Sequence, residues 1–116
     1  MIFETDSVTA ILDLYPINPG HILVFPHEEV DYLFDLPKGR YHELLEVVRV
    51  LSGPLQQATS AKRIGVAVEG FGVPHVHVHM VPVNAGNELN PEKSSPATEQ
   101  ELAAMAKRIR DCLAAN

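Results

Sequence analysis

The stretch His75-Val76-His77-Val78-His79-Met80-Val81 sets three histidines in alternation with apolar residues. Side chains alternate across a β-strand, so this pattern predicts a strand with the histidines on one face and Val76, Val78 and Met80 on the other. The apolar face suits a core and the imidazole face a site open to solvent. Along a straight strand, neighbouring histidines stand about 6 to 7 Å apart and the outer two about 13 Å. Three imidazoles so spaced do not converge on one metal ion, which holds nitrogen at about 2 Å. An adjacent pair could ligate a metal only with help from His21, His27 or a carboxylate. Nucleophilic chemistry uses the row better, because a central neutral imidazole can attack phosphorus while its neighbours hydrogen-bond to the phosphoryl oxygens and the leaving group. An ordinary pKa near 6.5 leaves histidine largely neutral at pH 7 while a neighbour can still carry a proton. The middle residue, His77, is the candidate nucleophile.

Outward from this run, Ile64, Val66 and Val68 alternate with small residues and predict a partner strand, with Gly70-Phe71-Gly72 joining the two in a hairpin. Upstream, Ile2–Thr5 and Val8–Leu14 are β-prone runs around Asp6-Ser7, a turn-favouring pair. Pro16-Ile17-Asn18-Pro19-Gly20 forces a loop before Ile22-Leu23-Val24-Phe25, which reads as a buried strand. From Pro37 to about Ala61 the period lengthens. Tyr41, Leu44, Leu45, Val48, Leu51 and Leu55 mark one helical face, and Gly53-Pro54 leaves the end of that helix open. Asn84–Pro96 is polar, rich in Asn, Gly, Pro and Ser, and reads as a mobile surface loop. Thr98 and Glu101 form a capping box for a last helix, with Leu102, Met105, Ile109 and Cys112 or Leu113 as its apolar stripe. The fold class is therefore α+β: an antiparallel sheet of about five strands, one long central helix and a C-terminal helix, in a single domain over 1–116.

Composition narrows the function. There are 9 Lys+Arg against 15 Asp+Glu, and seven acidic residues precede the first basic one, Lys38. Such a chain repels a nucleic-acid backbone, and no nucleic-acid partner is expected. Cys112 is the only cysteine, so the chain builds neither an internal disulfide nor a cysteine-based zinc site. No apolar run approaches the roughly 20 residues of a membrane span, and Met1 leads straight into Ile2-Phe3-Glu4. A cytoplasmic protein with no targeting segment and no membrane partner is expected.

The alternating run resembles the signature of the histidine triad (HIT) superfamily. A second landmark agrees: Asp13-Leu14-Tyr15-Pro16-Ile17-Asn18-Pro19-Gly20-His21-Ile22-Leu23-Val24 is similar to the family's Asp ahead of a Pro-Gly-His turn, and His27 and Leu33-Phe34-Asp35-Leu36 also fall where the family has His and Asp-Leu. The resemblance covers most of residues 3 to 82. It implies hydrolysis or transfer at the α-phosphate of a purine nucleotide conjugate, of phosphoramidase or dinucleoside polyphosphate hydrolase type. It further implies a covalent nucleotidyl-His77, with His79 assisting the leaving group and His75 and His21 organising the network. Asp13 would accept hydrogen bonds from the ribose, with Ile11 and Leu14 near the base. The resemblance also implies a homodimer. No cofactor is required, although a divalent metal could accompany the substrate. A nucleotide-binding module without turnover and a His-ligated metalloprotein are the alternative readings.

The loop before His75 departs from the family pattern. Many relatives carry a longer glycine-rich loop with Gln and Ser or Thr donors, whereas this chain has only Glu69-Gly70-Phe71-Gly72-Val73-Pro74. Pro74 has no N–H to offer, so phosphate contact is expected from the amides of Gly72 and Val73 and from the histidines. Glu69 falls near where relatives have Asn. A carboxylate there repels phosphate unless it is paired or points away.

Overall fold

The computed structural model describes residues 1–115. Five strands form one antiparallel sheet: β1 (Phe3–Glu4), β2 (Val8–Leu12), β3 (Ile22–Pro26), β4 (Arg63–Ala67) and β5 (Val78–Val83), in the order β1-β2-β3-β5-β4. The Asp6-Ser7 turn is closed by Thr5, whose hydroxyl accepts from the amides of Ser7 and Val8. Helix α1 (Lys38–Thr59) covers one face of the sheet, and α2 (Glu99–Ala115) packs against α1.

The core lies where the two periods meet. Leu44, Val48, Leu51 and Leu55 of α1 are buried with Val8, Ala10, Ile22, Val24, Val78 and Met80 of the sheet. Each of the larger side chains among these, the Leu, Ile, Val and Met, contributes roughly 1.5–3 kcal/mol when fully buried. Pro54 lies inside α1 and is buried, so the helix continues for a further five residues and ends at Ser60 in a left-handed cap. The apolar stripe outweighs the one backbone hydrogen bond that proline removes. The expected capping box of α2 is present, with Glu101 Oε1 accepting from the Thr98 amide at 2.9 Å and Thr98 Oγ1 accepting from the Glu101 amide at 3.1 Å.

Three readings need correction. The last central strand begins at Val78, not Val76, because the Val76 amide donates to the Val30 carbonyl at 2.7 Å instead of joining the ladder. Strand β2 ends at Leu12, so Asp13 and Leu14 lie in the loop that follows. The stretch read as a mobile loop is a built wall. Glu88 accepts from the amides of Asn84 and Ala85 and from Asn18 Nδ2, and the amides of Ser95 and Ala97 donate to the carbonyls of Pro16 and Leu14. Leu89 then sits over Gly65, on the sheet face away from α1; a Cβ at Gly65 would stand 2.9 Å from it.

The Pro-Gly-His turn is held from two sides. The His21 amide donates to the Asn18 carbonyl at 3.1 Å and Gly20 has φ +92°, the hydrogen bond and positive φ of a type II turn with Pro19 in its second position. A Cβ on Gly20 would stand 2.5 Å from Thr59 Cγ2 at the end of α1. Gly20→Ala should therefore lower unfolding stability by about 2–4 kcal/mol in urea titration. Adding Thr59→Ser, which removes the methyl, should recover part of that loss and leave the cost of the positive φ.

Candidate active site

The sheet face opposite α1 carries Ile11, Leu23, Ala67 and His79 in lateral register: Ile11 opposes Leu23, Leu23 opposes His79, and His79 opposes Ala67. Next to this row opens a cleft of about 330 Å³ that contains Asp13, His21, His77 and His79. The segment 84–97 closes one side of it with Leu89, Pro91 and Ser94.

Hydrogen bonds assign the histidine tautomers. The Ile17 amide donates to His21 Nδ1 at 3.0 Å, so the proton of a neutral His21 sits on Nε2. That Nε2–H donates to His79 Nδ1 at 2.9 Å. The proton of His79 is thereby placed on Nε2, which has no hydrogen-bond partner among the described residues. His77 follows the opposite pattern: its Nδ1–H donates to the His75 carbonyl at 2.9 Å, leaving Nε2 with a free lone pair. The rings of His77 and His79 have centroids 4.9 Å apart. One ring therefore presents an imidazole lone pair beside a ring that presents an N–H.

Burial keeps this relay uncharged. Burial pushes the His21 pKa down to about 4, the nearby Asp13 carboxylate pulls it up and His79 adds to the depression. His79 is also lowered, first by burial and then by His77, with Asp13 and Glu69 opposing. Asp13 Oδ2 lies 3.5 Å from His21 Nε2, while its Oδ1 accepts from the Tyr15 amide at 2.9 Å.

Not every expected residue joins the cleft. His75 turns away, with its Nε2–H donating to the Pro26 carbonyl at 2.7 Å and its ring edge-on to Phe25; it contributes its carbonyl to His77 rather than an imidazole to the site. Gly72 and Val73 are exposed on the loop and do not line the cleft, whereas Gly70 and Phe71 do. Ile11 is half-buried on the sheet face and Leu14 is exposed beyond Asp13. His27 pairs with Thr9 and the Asp6 carbonyl at the opposite end of β3. Glu69 lines the cleft and has no hydrogen bond or ion pair among the described residues.

Asp13, His21 and His79 place one potential metal-ligand atom each within 4.8 Å of one another. A metal needs the lone pair of His21 Nε2, and that atom carries the proton as long as Ile17 donates to Nδ1. The cluster as arranged is a hydrogen-bond relay.

The residues missed in the sequence are Ile17, Asn18, Glu88 and Leu89. Ile17 acts through a backbone amide, which no side-chain pattern reveals. Asn18 meets Pro82 and Glu88, 64 and 70 positions away.

An open five-stranded antiparallel sheet with two helices is the α+β fold of the histidine triad structures. The chain matches the HIT domain over residues 1–86 and belongs to that family. It is 33% identical over 87 residues to the bis(5'-nucleosyl)-tetraphosphatase [asymmetrical] of Schizosaccharomyces pombe, a match covering 71% of this chain and 48% of that one. It is 35% identical over 82 residues to the AP-4-A phosphorylase of Mycobacterium tuberculosis, covering 65% and 42%. The chain thus spans less than half the length of both. Among solved structures, a HIT-like protein of Bartonella henselae superposes with a TM-score of 0.84 at 28% identity, covering 96% of this chain and 84% of that one.

The neutral relay has a consequence for stability. A His21 pKa of about 4 in the fold and about 6.5 when unfolded means that the unfolded chain binds the extra proton between these values. The stabilisation is therefore complete above pH 6.5 and is lost as pH falls toward 4, by about 3 kcal/mol in all. In His21→Asn, which can still accept from Ile17, the pH dependence of urea denaturation should flatten in that window. A wild-type slope in the variant would show that His21 is not the group responsible.

Proposed function

We propose that this protein is a nucleotide hydrolase or nucleotidyl transferase that acts at the α-phosphate of purine nucleotide conjugates through a covalent nucleotidyl-His77. The observation that carries this reading is the fixed tautomer of His77: a backbone carbonyl holds its Nδ1–H, leaving Nε2 with its lone pair on a ring that lines a cleft of about 330 Å³. The names of relatives support it, since they are bis(5'-nucleosyl)-tetraphosphatase, AP-4-A phosphorylase and bis(5'-adenosyl)-triphosphatase.

In the first step Nε2 of His77 bonds to phosphorus and the bond to the leaving group breaks, its electron pair departing with the leaving atom. The Nε2–H of His79 hydrogen-bonds to that atom and stays on the ring, and the departing group takes its proton from solvent. In the second step water attacks phosphorus, the bond to His77 breaks, and a nucleoside monophosphate and neutral His77 result. The proton released by water balances the one the leaving group takes up. In this reading Asp13, which follows β2 and lies beside His21, accepts from ribose hydroxyls. Burial of His21 and His79 keeps both neutral, so the relay orients a donor without placing a fixed positive charge in the cleft.

Intact-mass measurement after mixing with adenosine conjugates tests the mechanism. The wild type should gain the mass of one nucleotidyl group, and His77→Ala should form no adduct and lose turnover by about 10³-fold or more. Unchanged turnover in His77→Ala would overturn the covalent route. Nucleotide-dependent melting shifts without adduct or product in the wild type would make the protein a binding module.

A further inference from the structure

Asp13 and Glu69 flank the histidines. Asp13 follows β2, His21 precedes β3, His79 lies on β5 and Glu69 follows β4, and these strands are adjacent in the order β2-β3-β5-β4. Asp13 and Glu69 are three strands apart across the sheet and, along it, Asp13 stands level with His21 and Glu69 level with His77, so the two residues lie on opposite sides of the relay. If Asp13 holds the ribose, the group beyond phosphorus lies on the Glu69 side.

That side is built against anions. Among the described residues lining the cleft there is no Lys or Arg. The N-terminus of α2, which could otherwise offer amides to a phosphate, is closed by its own Thr98–Glu101 box. Glu69 is exposed and unpaired, and its negative charge is felt at His79. Beside it Phe71 lines the cleft with 86% of its surface exposed. An aromatic face next to a free carboxylate recognises an ammonium, through cation–π attraction and ion pairing together. A polyphosphate leaving group would bring several negative charges to this place with nothing from the protein to offset them.

We infer that Glu69, with Phe71, selects nucleotide conjugates whose leaving group carries an ammonium, and disfavours dinucleoside polyphosphates. The inference rests on the nucleotidyl-transfer reading above and adds the class of leaving group. The bond that breaks is unchanged; Glu69 acts on the charge of the departing group.

Matched aryl esters of adenosine 5'-monophosphate test it, one bearing an aminomethyl and one a carboxymethyl group on the ring. Each releases a phenolate, so only the remote charge differs between them at the site. Relative to their uncatalysed rates, the wild type should favour the aminomethyl ester in kcat/KM by about tenfold or more. Glu69→Gln should collapse that ratio, Glu69→Lys should invert it, and raised salt should weaken it. Glu69→Lys should also raise turnover of a dinucleoside tetraphosphate, by more without Mg²⁺ than with it. Phe71→Ala should reduce the preference in part. A ratio insensitive to Glu69→Gln, or a wild-type preference for the carboxymethyl ester, would overturn this inference alone. Absence of turnover and of adduct with every ester would overturn the transfer reading, and this one with it.

Discussion

The bond between His21 Nε2 and His79 Nδ1 is the contact on which the site depends. Burial of His21 and part-burial of His79 favour the pair as a neutral donor and a neutral acceptor, because an added proton would place a charge where hydration is reduced. Which ring donates is decided by the main chain, since the Ile17 amide occupies His21 Nδ1. Ile17 is placed by the Pro16–Gly20 loop, and that loop can close only because Gly20 brings no Cβ toward Thr59. The tautomer of a functional ring thus traces back to the packing of a turn against the end of the central helix. Core packing and site chemistry are parts of one construction here.

The three alternating histidines have three different surroundings. His79 is in the β5 ladder and receives the relay. His77 precedes the strand, and its ring is held by a carbonyl only two residues back. His75 donates to Pro26 and packs on Phe25, which anchors the loop's return to β3. This division follows from where the ladder begins. Had β5 started at Val76, all three rings would have stood in a row at strand spacing; because the Val76 amide goes to Val30 instead, the chain can bring the His77 and His79 rings together and turn His75 aside.

Elements whose signals are periodic and local were legible in the sequence. The long helix follows from the Leu44, Val48, Leu51 and Leu55 stripe, the last helix from Thr98 and Glu101, and the strands from alternation. His77, His79, His21 and Asp13 were legible as well, through two motifs, and they do converge. Features that depend on distant partners could not be read. Nothing near Asn84 announces that Glu88 will gather its amide, that of Ala85 and the side chain of Asn18. A polar stretch rich in turn residues is compatible with a solvated loop or with a wall built by one capping carboxylate, and only tertiary contacts separate the two.

The short loop before His75 draws these threads together. Gly70 and Gly72 both have positive φ, at +88° and +91°, which lets six residues reverse direction and bring Phe71 to the cleft. A reversal so tight leaves few amides to donate to phosphate, and Pro74 has none. Among the described residues lining the cleft there is no cationic side chain, so on the nucleotidyl-transfer reading proposed above developing charge meets the Nε2–H of His79 and few loop amides. Because that donor is neutral, its strength depends on orientation and on the low dielectric of the buried relay rather than on net charge. On that reading the histidine relay carries more of the electrostatic work in this chain than it would behind a longer, donor-rich loop.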